Sequence, residues 1–537
     1  MRYRYGVRAI SVWVLCTGQV AHHHCCSADA ATDNAPNILL ILVDDMGWSD
    51  LGCYGGEIDT PNLDWLAERG IRFTQFHNTS KCFPSRACLL TGLYAQQCGM
   101  GRRPGHLRNC VTLGEVLRTA GYRTLMTGKH HGLDNPFDRG FDRYFGLRDG
   151  ACNYFNPGLQ REGEGVPAHK TAPQFFPRTW CIDDKVYKPF TPRQKDFYTT
   201  DYFTRYALEY LDEYASEDKP FFLYIAYNAP HDPLQAWPED IAKYRGRFME
   251  GYAACRRARY RRQREMGLID DSFPLSAPVH ADWDTLTDQE KVDEDTRMAV
   301  YAAMIDRVDQ NIGQLLNRID EQGELDNTLV IFASDNGCAA GTAGNYSTYN
   351  STANEGEMGS MTRWTKIGRS WSNVSNTPFR FHKTYTHKGG TCTPLIASWP
   401  AGIKGRNRIS HEVGHFIDLM PTLIEASGAV YPAWFREQSV PPMQGRSLIP
   451  VFQQRKPTDC GAIYWKWRKG KAVRHQHWRL VSDQNQDWQL YDMRNDKTET
   501  TNLTDRFPDI ARELGTMHSR WLESMTHPES SKDNPPR

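Results

Sequence analysis

Asn37-Ile38-Leu39-Leu40-Ile41-Leu42-Val43 constrains this chain more than any other stretch. A strand with one wet face alternates polar and apolar residues. This one does not, so both of its faces must be covered, as in the centre of a parallel sheet. Asp44-Asp45-Met46-Gly47 follows it directly. Three further apolar runs share the design. Tyr122-Arg123-Thr124-Leu125-Met126 runs into Thr127-Gly128-Lys129-His130-His131-Gly132. Phe221 to Tyr227 runs into Asn228-Ala229-Pro230-His231. Leu329 to Ser334 runs into Asp335-Asn336-Gly337. In open α/β sheets, ligands sit in the crevice at the carboxyl ends of the strands. Carboxylates, lysine and histidine at four such ends therefore point to a single site, and the adjacent Asp44 and Asp45 call for a cation to offset their repulsion.

Helices alternate with these strands. Thr60 is a candidate cap with Pro61 at the first position, and Thr112 with Glu115 has the spacing of a capping box. Met298 to Leu316 places apolar residues three and four apart, as in a long amphipathic helix. The expected fold is α/β: a large, mostly parallel or mixed sheet flanked by helices. From about Arg446 the pattern changes. Four short strands, Ala462–Trp467, Lys471–Arg474, Trp478–Val481 and Trp488–Asp492, precede a helical Ile510–Met525. A small C-terminal antiparallel sheet with a helix is expected there. With 537 residues the chain exceeds one ordinary core. Its expected parts are a leader (1–30), a large N-terminal domain (31–445) and a C-terminal α+β unit (446–537). The basic run Arg256–Arg262 is expected on a solvated helix face, and Gly341–Ser375 as a long loop bordering the cleft.

Lys plus Arg equals Asp plus Glu, which argues against nucleic acid as a partner, so any anion site must be local. Arg2, Arg4 and Arg8, the apolar Ala9–Ala21 and Ala28-Asp29-Ala30 read as an export signal, which implies a periplasmic or extracellular protein, secreted or lysosomal in a eukaryote. No stretch reaches membrane-spanning length. The cysteines show no zinc spacing. Cys82, Cys88, Cys98 and Cys110 cluster in sequence, and disulfides among them are open outside the cytoplasm. Asn78 and Asn350 begin glycosylation sequons.

The stretch Ser80-Lys81-Cys82-Phe83-Pro84-Ser85-Arg86-Ala87-Cys88-Leu89-Leu90-Thr91-Gly92 contains Cys-x-Pro-Ser-Arg ahead of a helix-compatible run. It resembles the signature of the type I sulfatases, within the alkaline phosphatase superfamily. Asp44-Asp45 resembles that family's paired aspartates, and Gly128-Lys129-His130-His131 its Gly-Lys-x-His element. Pro230-His231 resembles its Pro-His element, Asp335-Asn336-Gly337 its Asp-Asn-Gly element, and Lys383 ahead of Gly389-Gly390 its lysine before Glu-Gly-Gly. Each is weak alone; six in order are specific.

The resemblance implies hydrolysis of aryl or carbohydrate sulfate esters. A formylglycine-generating enzyme would oxidise Cys82 to 3-oxoalanine (formylglycine), whose hydrate attacks sulfur and gives a sulfated hemiacetal that eliminates sulfate. Asp44, Asp45, Asp335, Asn336 and the modified Cys82 would hold Ca2+, with Mg2+ second because of its stricter geometry. Arg86, Lys129 and Lys383 would neutralise the sulfuryl group. Asp335 would assist deprotonation of the hydrate, His231 or Lys383 would protonate the leaving alcohol, and His131 would drive elimination. The implied partners are a sulfate-ester small molecule or sulfated glycan.

Three departures stand out. Lys388 replaces the glutamate before Gly-Gly, and either adds charge near Lys383 or removes a partner that would orient it. Cys338 replaces a common second glycine after Asp-Asn-Gly. Trp465-Lys466-Trp467-Arg468 lacks the acidic and histidine character often found there. Two other readings stay open: a phosphonate monoester or phosphodiester hydrolase of the same superfamily, and a non-catalytic sulfoglycan-binding protein in which Cys82 remains a thiol.

Overall fold

The computed structural model describes residues 35–169, 176–341 and 355–525. The expected export leader and Asn350 lie outside the described residues.

The large sheet contains β1 (Asn37–Val43), β2 (Ile71–His77), β3 (Arg123–Gly128), β4 (Arg143–Leu147) and β5 (Trp180–Ile182). It continues with β6 (Lys185–Tyr187), β7 (Phe221–Ala226), β8 (Thr328–Ser334), β9 (Cys392–Ser398) and β10 (Arg408–His415). The strand order is β10-β2-β9-β8-β1-β7-β3-β4-β5-β6. β8, β1, β7, β3 and β4 run parallel, while β9 lies antiparallel between β8 and β2. The sheet is thus mixed, with helices on both faces.

All seven residues of β1 are buried, and the two cores explain why Ile38 to Val43 are all apolar. Leu39, Ile41 and Val43 pack with Met298, Ile305 and Ile312 of the Asp288–Glu321 helix on one face. Ile38, Leu40 and Leu42 pack with Phe83, Leu89, Leu113 and Leu117 on the other. Ser334 of β8 is level with Val43, and Ala226 of β7 is level with Leu42 and with Gly128 of β3. The ends of four neighbouring strands therefore open at one edge.

Several local expectations are corrected. The long helix spans 34 residues because a Thr287–Glu290 capping box starts it well before Met298. Thr112 and Glu115 do form a reciprocal box. Thr60 does not cap its helix: its hydroxyl contacts Asp64 Oδ1 at 3.1 Å and accepts from the Gly52 amide at 3.0 Å. The basic run lies on the Gly251–Glu265 helix, yet Arg256 and Arg259 are buried. That face packs on the loop after β1, and Arg257 and Arg261 alone keep the exposure expected of a solvated face. Gly341–Ser375 is not all loop, since Arg369–Ser375 is helical.

Two short strands, β11 (Trp434–Phe435) and β12 (Gln438–Ser439), precede the second sheet. That sheet is an antiparallel meander of β13 (Ala462–Trp467), β14 (Gly470–His475), β15 (Trp478–Ser482) and β16 (Gln489–Asp492), followed by the Pro508–Met525 helix. It is welded to the first: Trp467 and Trp521 share the apolar cluster of Phe83 and Leu89. The Trp465 indole donates to the Asn78 carbonyl at 2.7 Å. The eleven described cysteines are free thiols. Among the described residues no helix is long and apolar enough to cross a membrane.

Candidate active site

Cys82 opens the Cys82–Thr91 helix. β2 runs parallel to β8, so its carboxyl end delivers Cys82 to the same edge as the other strand ends. Ser85 anchors the turn before the helix, accepting from the Thr79 amide at 3.0 Å. Arg86, one turn after Cys82, is buried and forks onto Asp335, with Nε and Nη2 at 2.9 and 2.8 Å from Oδ2. Its Nη1 donates to the Lys129 carbonyl at 2.7 Å.

Asp44 and Asp45 follow β1, and Asp45 takes a left-handed backbone (φ 69°). Lys129 pairs with Asp44 and Lys383 with Asp45. The Asn336 amide nitrogen donates to Asp45 Oδ1 at 2.6 Å. His231 Nε2 stands 3.5 Å from Asp45 Oδ2, and its Nδ1 hydrogen-bonds the Asp232 carbonyl at 2.7 Å. Single ligand atoms of Asp44, Cys82 and Asp335 lie within 4.8 Å of one another, as do those of Asp44, Asp45 and His231. Asp44 Oδ1, Asp45 Oδ2 and Asn336 Oδ1 are buried without a hydrogen-bond donor among the described residues. Hard, unsatisfied oxygens converging in a buried site fit a divalent cation such as Ca2+. His131 (φ 61°) packs edge-on against Phe83, with centroids 5.6 Å apart. All ten residues singled out in sequence are brought to this edge.

The charges are interlocked. Burial opposes ionisation of Asp44, but Lys129, His231, Lys383 and Arg86 outweigh it and hold the carboxyl well below its ordinary range. Burial and the Asp44 charge push Asp335 well up. Burial also opposes ionisation of Cys82, yet Lys383, Lys81 and Lys129 bring its thiol to about 7. Burial, then Lys129 and Lys81, holds His131 well below the usual imidazole value, so it is neutral.

Two glycines are required by close approach. Gly128 has φ 103°, and a Cβ there would stand 2.0 Å from the Ala226 carbonyl oxygen. A Cβ on Gly337 would stand 1.9 Å from the Gly389 carbonyl oxygen. Gly389-Gly390 is thus a packing surface for the Asp335-Asn336-Gly337 turn as well as a turn itself.

Lys388 Nζ lies over the rings of Phe379 and Phe273 at 5.0 and 5.7 Å. His387 is held by Asp483 and Gln489 and is structural. His130 is buried and its ring nitrogens have no hydrogen-bond partner among the described residues.

Sequence reasoning missed a buried brace beneath Asp45. The Tyr301 hydroxyl is 2.7 Å from Asp50 Oδ2, 3.2 Å from the Asp45 carbonyl and 3.4 Å from Cys338 Sγ. Arg259 Nη1 donates to Asp50 Oδ1 at 2.6 Å, and its Nε and Nη2 hold Glu57. Tyr301 sits within the apolar stripe of its helix, so nothing in the sequence marks its hydroxyl as polar support.

The family model described as Sulfatase matches residues 36–429. The chain belongs to the sulfatase family. A second model, N-sulphoglucosamine sulphohydrolase, C-terminal, matches residues 379–524 and so covers the second sheet. An uncharacterized sulfatase of Schizosaccharomyces pombe is 34% identical over 530 residues, covering 90% of this chain and 93% of its own. An arylsulfatase of Klebsiella aerogenes is 34% identical over 451 residues, covering 79% and 93%. The solved structure of Ps i-CgsB in complex with k-i-k-neocarrahexaose is 25% identical with a TM-score of 0.65, covering 91% of this sulfatase and 92% of that chain. This sulfatase is accordingly a sulfuric ester hydrolase.

Proposed function

We propose that this sulfatase cleaves carbohydrate or aryl sulfate esters using a formylglycine made from Cys82 and a bound calcium ion. The observation that carries this reading is the convergence of Asp44, Cys82 and Asp335 atoms within 4.8 Å, ringed by Arg86, Lys129 and Lys383. The hexaose named with the structural neighbour supports a carbohydrate substrate.

Asp44, Asp45, Asp335 and the Asn336 amide oxygen would hold the cation, with Cys82 after conversion beside them. When bound, such an ion supplies Lewis acidity toward a sulfate oxygen. The aldehyde introduced at Cys82 supplies, as its hydrate, a nucleophile that can later release sulfate by elimination. Arg86 presents a rigid guanidinium, and Lys129 and Lys383 present point charges, to the oxygens on which negative charge develops. Asp335 takes the proton from the attacking hydroxyl. His231, its Nδ1 fixed on the Asp232 carbonyl, or Lys383 is the donor for the departing alcohol. His131, neutral in its buried setting, takes the proton in the elimination step.

Peptide mass spectrometry tests the first claim. Protein from the native host should carry residue 82 about 18 Da lighter than cysteine. An unconverted thiol there overturns the mechanism. Cys82→Ala should abolish turnover of an aryl sulfate while calcium still binds. A higher rate on a phosphonate monoester or phosphodiester than on sulfate esters would move the assignment to that class.

A further inference from the structure

Outside the catalytic residues, two thiols meet. Cys98 is fully buried and Cys110 half-buried at the two ends of the 98–110 loop. The two thiols are side-chain neighbours, each acting on the other's proton. The Arg108 amide donates to the Cys98 carbonyl at 3.1 Å, closing the loop's neck. Gly99 has φ 84°, and its position for a Cβ lies 2.8 Å from the His106 carbonyl, so the two limbs are pressed together. Arg139 holds the far side: its Nη2 lies 3.4 Å from the Cys110 carbonyl and 4.0 Å from Cys110 Sγ. The loop supports the turn that carries His131. The Leu133 amide donates to the Gly105 carbonyl at 2.9 Å, and Asp134 accepts from the Leu107 amide at 2.7 Å and pairs with His106.

We propose that Cys98 and Cys110 are a disulfide-forming pair, and that oxidation locks the 98–110 loop against the His131 turn. The oxidant is a disulfide compound of low molecular weight or a disulfide-bearing protein. The exposed side of Cys110 attacks as thiolate and forms a mixed disulfide, expelling one thiolate from the oxidant. Cys98, deprotonated, then attacks the Cys110 sulfur and expels the second thiolate. Two cysteines lose two protons and two electrons, and the oxidant's disulfide becomes two thiols. The neighbouring Cys110, then burial, keeps the Cys98 proton on until this second step, while the neighbouring Cys98, then Arg139, lowers the Cys110 thiol.

The full chain is equilibrated in reduced and oxidised glutathione buffers, quenched by alkylation and mapped by peptide mass spectrometry. A linked Cys98–Cys110 pair, about 2 Da lighter than the dithiol, is expected in the oxidised buffer. Hydrogen exchange at the Leu133 amide should slow, and Tm should rise by ~2–3 °C for a loop of this length in a chain of this size. Cys110→Ser should leave exchange and Tm insensitive to the buffer. Both thiols fully alkylated in the oxidised buffer, or a Cys88–Cys98 link in their place, overturns the proposal. So does a linked pair with unchanged exchange at Leu133.

Discussion

Under the proposed function, Lys129 and Lys383 are how a chain of zero formal charge would build a local anion site. Each is buried against one aspartate of the Asp44-Asp45 pair, so its charge is fixed in place before substrate arrives. Replacing Lys129 or Lys383 by methionine should lower kcat/KM by about 10²–10³-fold, the usual cost of one transition-state donor. Steady-state kinetics on an aryl sulfate checks this. Chelation with EDTA should abolish activity and lower Tm, since carboxylates facing one another lose their counter-ion, and calcium should restore both. Lys388 tests a different physics. Burial pushes its amine down to about 7, and no hydrogen bond reaches its Nζ among the described residues. Below that pH the amine is charged in both folded and unfolded chains, and the burial penalty is fully felt. Between pH 7 and about 10 the unfolded chain still binds the proton and the folded chain does not, so stability rises with pH. Lys388→Met should raise stability at pH 7 by a few kcal/mol (~2–4). It should also flatten the rise between pH 7 and 10, measured by urea denaturation of both proteins across that range.

At the scale of elements, strand ends place the polar cluster, while two helices behind them support it. Tyr301 and Arg259 belong to those two helices, and through Asp50 they brace the left-handed turn at Asp45. Tyr301→Phe should fold normally and weaken calcium binding by ~10–100-fold, the range seen when a ligand loses its outer support. Calorimetric titration of calcium reads this directly. Arg259→Met should be worse for the fold, by about 3–5 kcal/mol, because buried Asp50 is left without its cation and Glu57 keeps only Arg262. The strands, their order along the chain and the polar cluster after each were legible because burial on both faces leaves an unbroken apolar run. The brace was not. An arginine inside a run of arginines, and a tyrosine on an apolar stripe, look the same whether they face solvent or a buried carboxylate.

For the whole molecule, the C-terminal sheet is no appendage. Trp465 reaches the Asn78 carbonyl at the base of the Cys82 turn, and Trp467 packs edge-on to Phe83 with centroids 5.2 Å apart. Arg479 bridges Glu499 to the Thr386 carbonyl. We expect both sheets to melt in one calorimetric transition, and Trp465→Ala to lower its midpoint and reduce turnover together. A separate early transition for the C-terminal sheet would contradict this. The sequence by itself determined which polar residues gather at the strand ends, since strand burial, helix capping and motif order are local patterns read along the chain. It also determined the mixed α/β sheet and the small antiparallel sheet after it. Only the tertiary structure decided which charges meet. It turned Lys388 onto aromatic rings, buried Arg259 between two carboxylates and brought Cys98 to Cys110. Those outcomes depend on which faces of distant elements pack together, and residue spacing along one element does not encode that.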